Sequence, residues 1–167
     1  MKKTALSGFA VIILSWIINT SHAQFGPSFA NNKVSTPDAV KIFKAPNTKA
    51  ERNFTKTYKN ATDVQWYPLN DGRLMVRFFD NDIQTKIFYS RKGSNVAMIR
   101  YYTEDKLPND VRHPVKTTYY DFNIFLVIEV TVGQQTAYLV KIEDKTCTKT
   151  IRVMNGEMGV IEEIEKL

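Results

Sequence analysis

Cysteine is almost missing from this chain of 167 residues: Cys147 stands alone, so no intrachain disulfide can form and an apolar core must hold the fold. Its neighbours Thr146 and Thr148 read as the start of a strand, and with no histidine nearby in sequence the thiol is a small space-filling side chain. Histidine is equally scarce. There are two, His22 and His113, and a metal site needs partners that the second does not have. Glycine numbers only seven, and no glycine-rich phosphate loop, G-x-S-x-G elbow or H-E-x-x-H helix occurs. Glu104 and Asp105 are adjacent in sequence and do not converge as a paired acid and base would. No catalytic, cofactor-binding or metal-binding residue is assigned, so the chain is read as non-enzymatic.

Long apolar runs are missing as well. The run Ala5 to Ile18 falls short of the ~20 residues a spanning helix needs. Lys2 and Lys3 precede it, Asn19-Thr20-Ser21 follows, and Ser21-His22-Ala23 puts small residues where a signal peptidase reads. Residues 1–23 are therefore expected to be a signal peptide cleaved near Ala23-Gln24, leaving a periplasmic or secreted chain with no transmembrane segment. No cysteine follows the cleavage site, so a lipid anchor is not expected.

Loss of Lys2 and Lys3 lowers the net charge from +6 to +4, because all 17 acidic residues lie in the mature part. The charges are interspersed, with no Lys/Arg cluster, which argues against nucleic acid as a partner. The mature length, 167 − 23 = 144 residues, is ordinary for one domain.

What the chain does have is an internal near-duplication. Asn60 to Asn95 reappears between Asn123 and Gly156: Val76-Arg77-Phe78 aligns with Val140-Lys141-Ile142 and Asp80 with Asp144 at an offset of 64. A residue is then expected to drop out in the next turn, so that Lys86 matches Lys149 and Gly93 matches Gly156 at 63. Two copies of so long a unit point to a supersecondary element doubled to close a core.

Residues 24–47 form an Asn-, Pro- and Lys-containing leader with one short helix, begun by Thr36 and Pro37 and stopped by Pro46. A better signalled helix follows. Thr48 and Glu51 read as a capping box, and Ala50, Phe54 and Tyr58 fall on one stripe. Strands are expected at Val64–Leu69, Leu74–Phe79, Ile83–Tyr89 and Val96–Tyr102, with turns at Asn70-Asp71-Gly72, Asp80-Asn81-Asp82 and Arg91-Lys92-Gly93. A second helix runs from about Pro108 to Tyr119, with Pro114 either kinking it or moving its start to His113. Four further strands follow. The expected fold is α+β: two tandem repeats, about 48–106 and 107–167, each a helix plus a four-stranded antiparallel meander, in two layers with the helices on one face of a curved sheet.

Tyr58-Lys59-Asn60-Ala61 before Asp63-Val64-Gln65-Trp66, then Leu107-Pro108-Asn109-Asp110-Val111, Tyr119-Tyr120-Asp121-Phe122 and Gly156-Glu157 together resemble the PepSY-like exported proteins of Bacteroidota. That family is similar in fold to the beta-lactamase inhibitory protein. The resemblance covers about Lys49 to Leu167 and implies a fold, not an activity.

Strand alternation sorts the first repeat into two faces. Val64, Trp66, Leu74, Val76, Phe78, Ile87, Ala97 and Ile99 form the expected core face. The opposite set contains Tyr67, Met75, Arg77, Phe79, Lys86, Phe88, Met98, Arg100 and Tyr102, far richer in rings than a solvated face requires. Tyr, Phe, Met and Arg are the residue types enriched in protein interfaces. Tyr67, Arg77, Phe79, Lys86, Phe88, Arg100 and Tyr102 are therefore the candidate partner-binding residues, for a protein or peptide of the cell envelope. A small ligand held in a cleft between the two repeats is the alternative.

Overall fold

The computed structural model describes residues 47–166. The signal peptide and the leader helix read from the sequence lie outside them. Helix α1 (Thr48–Thr57) opens the described chain and is capped by Asn47, one residue earlier than the capping box placed it. The Asn47 Oδ1 accepts from the amides of Lys49 and Ala50 at 3.0 and 3.2 Å. Its Nδ2 donates to the Arg91 carbonyl at 3.0 Å, which ties the start of the helix to a distant turn. An Asn side chain satisfies two otherwise orphan amides here, the function of a helix cap.

Strands β1 (Thr62–Pro68), β2 (Leu74–Asp80), β3 (Ile83–Tyr89) and β4 (Asn95–Tyr102) follow. A 3-10 turn (Glu104–Lys106) leads into helix α2 (Asn109–Thr118), and then come β5 (Asn123–Val132), β6 (Gln135–Glu143), β7 (Cys147–Met154) and β8 (Glu157–Glu165). All eight strands form one antiparallel sheet in chain order, β1 to β8, with no crossover. Short turns make that order cheap, since each strand pairs with the one just made. Helix α2 continues through Pro114 and starts at Asn109, so the alternative start at His113 is not the one adopted. His113 is an exposed residue within the helix.

The register keeps the 64-residue offset through β3 and β7. Val76 faces Ile87, and Val140 faces Ile151. Lys86 therefore corresponds in the ladder to Thr150, opposite Lys141, and not to Lys149. The shortened turn is the next one, where Gly156 (φ +78°) does for β8 what Gly93 (φ +74°) does for β4.

Both helices lie on the same face of the sheet. Under α1, Ala50 and Phe54 pack with Leu74, Val76, Phe78, Ile87 and Tyr89, and Tyr58 and Trp66 border the cluster. The Phe54 ring meets Phe78 edge-on at 4.9 Å and Trp66 at 5.6 Å, geometry that adds to simple burial. Under α2, Val111 and Val115 pack with Val127, Val140, Ile142, Ile151 and Val153, and Ile83 and Tyr102 join from the first half. Cys147 is buried at the start of β7, as its flanking threonines indicate.

Candidate functional site

The other face of the sheet carries no helix among the described residues. Along β1 to β3 it presents Gln65 and Tyr67, then Met75, Arg77 and Phe79, then Gln84, Lys86 and Phe88, each facing its neighbour in register. On β4 the alternation breaks. Tyr89 faces Asn95 and Phe88 faces Ala97, so Val96 is an extra residue with no partner. That bulge turns the rest of β4 over. Ala97, Ile99 and Tyr101 join the open face, and Met98, Arg100 and Tyr102 join the helix face.

Five of the seven candidate residues, Tyr67, Arg77, Phe79, Lys86 and Phe88, therefore share the open face, where all are half-buried. The placement of Arg100 and Tyr102 on it is corrected. Tyr102 is buried, and its hydroxyl donates to Glu129 Oε2 at 2.6 Å. Arg100 Nη1 reaches both carboxylate oxygens of Glu129 at 3.3 Å, and its guanidinium lies 5.6 Å from the Tyr102 ring centroid. Burial and the Glu129 carboxylate push the Tyr102 phenol far up from its usual range. These three side chains satisfy one another across β4 and β5, at the junction of the two halves.

Ala97, Ile99 and Tyr101 are the open-face residues of β4 that strand alternation misses, Ala97 and Ile99 having been expected on the core face. A single unpaired residue leaves no mark on the hydrophobic pattern, so only a turn-by-turn register can find them.

Arg77 and Lys86 form a directly opposed cross-strand pair, two cations side by side. Like charges in that position are destabilising. Arg77 Nη2 donates to Gln65 Oε1 at 2.8 Å, and the same oxygen accepts from the Tyr67 hydroxyl at 2.5 Å. The Arg77 Nε is buried and has no hydrogen-bond partner among the described residues. Lys86 Nζ sits over the Tyr101 ring, 5.1 Å from its centroid. Burial, with the Arg77 charge adding to it, lowers the Lys86 pKa, and burial raises that of Tyr101. None of the residues in register on this face of β1 to β4 is a carboxylate.

The second half handles its charges differently. Lys141, on the same face, lies 3.7 Å from Glu162, which also accepts from Thr150 at 2.8 Å. On the helix face Lys149 and Glu163 pair at 2.5 Å, so the glutamates of β8 serve different faces and do not converge. Glu104 binds Arg112 at 2.6 Å, and Asp105 turns to Thr103 and Lys106. No group of three or more His, Cys, Asp or Glu among the described residues is placed to hold a metal ion. No described helix is long and apolar enough to cross a membrane.

No family model matches the chain, and no curated protein matches it in sequence. Solved structures do match its fold. A BLIP-like protein from Bacteroides fragilis aligns with a TM-score of 0.57 at 14% identity, over 74% of this chain and 88% of that one. A DUF2874 family protein from Bacteroides ovatus gives 0.56 at 17% identity, over 74% and 89%. A candidate periplasmic protein from Bacteroides eggerthii gives 0.54 at 16%, over 71% and 87%. One antiparallel sheet of eight strands with two helices on one face is thus a BLIP-like fold, shared with these Bacteroides proteins at low sequence identity.

Proposed function

We propose that this chain is an exported, non-enzymatic binding module of PepSY-like type, a doubled helix-plus-meander unit spanning about 48–167 behind a signal peptide and leader. In this reading the open face of β1 to β4 receives a protein or peptide partner in the cell envelope, and inhibition of an enzyme is one form the interaction takes. A single observation carries it: Tyr67, Phe79, Phe88 and Tyr101 surround two cations on a sheet face that has no carboxylate in register and no helix over it. Aromatic and Arg side chains in such a setting act as interface anchors, each worth about 2 kcal/mol when central and desolvated. The small-ligand alternative ranks second, because the polar groups nearest the junction of the halves, Arg100, Tyr102 and Glu129, are already engaged with one another.

Site-specific photocrosslinking in living cells tests this. A crosslinker at Phe88 should trap a discrete envelope protein, one at Thr117 on the exposed side of α2 should not, and Phe79→Ser should abolish the Phe88 product. Equal labelling from Phe88 and Thr117, or none from Phe88, would remove the basis for the reading.

A further inference from the structure

We infer that the partner of the open face presents a carboxylate, an Asp or Glu side chain set among apolar residues, which docks between Arg77 and Lys86. This rests on the docking role of the face and specifies its chemistry. Two cations directly opposed in a ladder repel each other. The Gln65 amide and the Tyr101 ring offset part of that repulsion, but neither carries a negative charge, and no in-register residue of β1 to β4 on this face supplies one.

The second half shows what compensation looks like. At the position matching Arg77, Lys141 is opposed by neutral Thr150, and Glu162 from the next strand bridges the two. In the first half the residue opposite Lys86 on the next strand is apolar Ile99, and Arg77 is met only from β1, by the neutral Gln65 amide, which satisfies Nη2 and leaves Nε without a partner among the described residues. A guanidinium can hold a carboxylate in a planar, charge-assisted pairing that the neutral Gln65 amide does not match.

The surroundings favour a peptide source over a free anion. Met75, Phe79, Phe88 and Ile99 line the approach, and such walls reward a carboxylate carried on apolar side chains more than a strongly hydrated phosphate. The chain's own leader fits poorly. Residues 24–46 contain Lys33, Lys41 and Lys44 against the single acid Asp38, and cations would add to the repulsion.

The Arg77 Nε–H gives its own signal in nitrogen-15 NMR, so the labelled full chain, as purified after export, can be titrated with three probes. These are acetyl-Phe-Asp-Phe-amide, acetyl-Phe-Asn-Phe-amide and inorganic phosphate. The Asp peptide should displace the Arg77 signal saturably, and the Asn peptide and phosphate should bind at least about tenfold more weakly, as expected for a charge-assisted hydrogen bond. Lys86→Gln, which keeps the Arg77 signal, should erase the preference for Asp over Asn, and so should Arg77→Gln when the two peptides are compared by calorimetric titration. Lys86→Glu, which supplies the carboxylate from within, should erase it too while melting above Lys86→Gln. Equal binding of the two peptides would overturn the inference yet leave the face as a docking surface. Phosphate binding as tight as the Asp peptide would overturn the peptide source, and no displacement by the Asp peptide would overturn the inference outright. If deletion of residues 24–46 alone moves the Arg77 signal and admits the Asn peptide, the leader is the occupant and the inference falls.

Discussion

Gly93 and Gly156 both turn the chain through left-handed backbone, yet a methyl group would meet very different surroundings at each. At Gly93 it would lie 2.8 Å from Asn47 Oδ1 and 2.9 Å from the Ala50 amide, inside the α1 cap. At Gly156 nothing stands within 4 Å. Gly156→Ala should cost only the left-handed strain, about 1–2 kcal/mol. Gly93→Ala should cost that and the cap as well, about 1 kcal/mol more, and thermal melts of the two variants will rank them. A second pair of substitutions separates the faces. Tyr102→Phe removes the 2.6 Å bond to the buried Glu129 and should destabilise by about 1–3 kcal/mol, whereas Phe79→Ser on the open face should cost clearly less than Tyr102→Ser in urea titrations. At this scale the sequence is readable where a residue type has one dominant use. The α1 stripe of Ala50, Phe54 and Tyr58 is plain in the sequence; its cap is not, because Asn47 and Thr48 are both good caps and the bond from Asn47 to the Arg91 carbonyl favours the first.

Helix α2 carries an internal fault. Pro114 has no amide to give to the carbonyl of Asp110, and the helix persists because Val111 and Val115 anchor it on either side. Pro114→Ala should therefore raise stability by about 1–3 kcal/mol, read from chemical denaturation, and a fall would mean that the ring itself fills a needed space. Strands were legible as elements because period-two patterning and turn residues agree along most of their length. Bulges were not. Val96, Phe125 and Ile161 each fall where a register shift occurs, in β4, β5 and β8, and each is an exposed large apolar residue. A bulged residue belongs to neither face cleanly, so its hydrophobicity misleads any alternation count that passes through it. Arg100 and Tyr102 lie on the helix face, and Tyr101 on the open one, against the alternation of their strand for that reason alone.

Across the molecule, five tyrosines share a sign. Burial raises the pKa of Tyr58, Tyr89, Tyr101, Tyr102 and Tyr138, with Tyr89 pushed up to about 12 from an ordinary 10.0. A phenol that ionises less readily when folded contributes stability that is complete below pH 10 and is lost as the pH climbs through 12. Lys86, whose pKa is lowered, acts in the opposite direction and softens the decline. The free energy of unfolding should thus fall steeply above pH 10, and Tyr89→Phe should flatten the slope; tyrosinate absorbance and circular dichroism at matched pH will show it. The overall plan of helices and strands could be read from two similar stretches of sequence, whereas the continuity of one sheet across both depends on the β4–β5 ladder, which no local signal announces.

That ladder runs from Ala97 opposite Val132 to Tyr102 opposite Val127, and the segment joining its strands, Thr103 to Phe122, loops away over one side. Severing the exposed stretch around Asp105 and Lys106 would cut the polypeptide without parting the protein: backbone bonds between neighbouring ribbons would keep the fragments zipped. A nicked sample should migrate as one species on a native gel and as two bands once denatured, and neither fragment alone should stay in solution, because each would expose a raw seam ready to recruit the next.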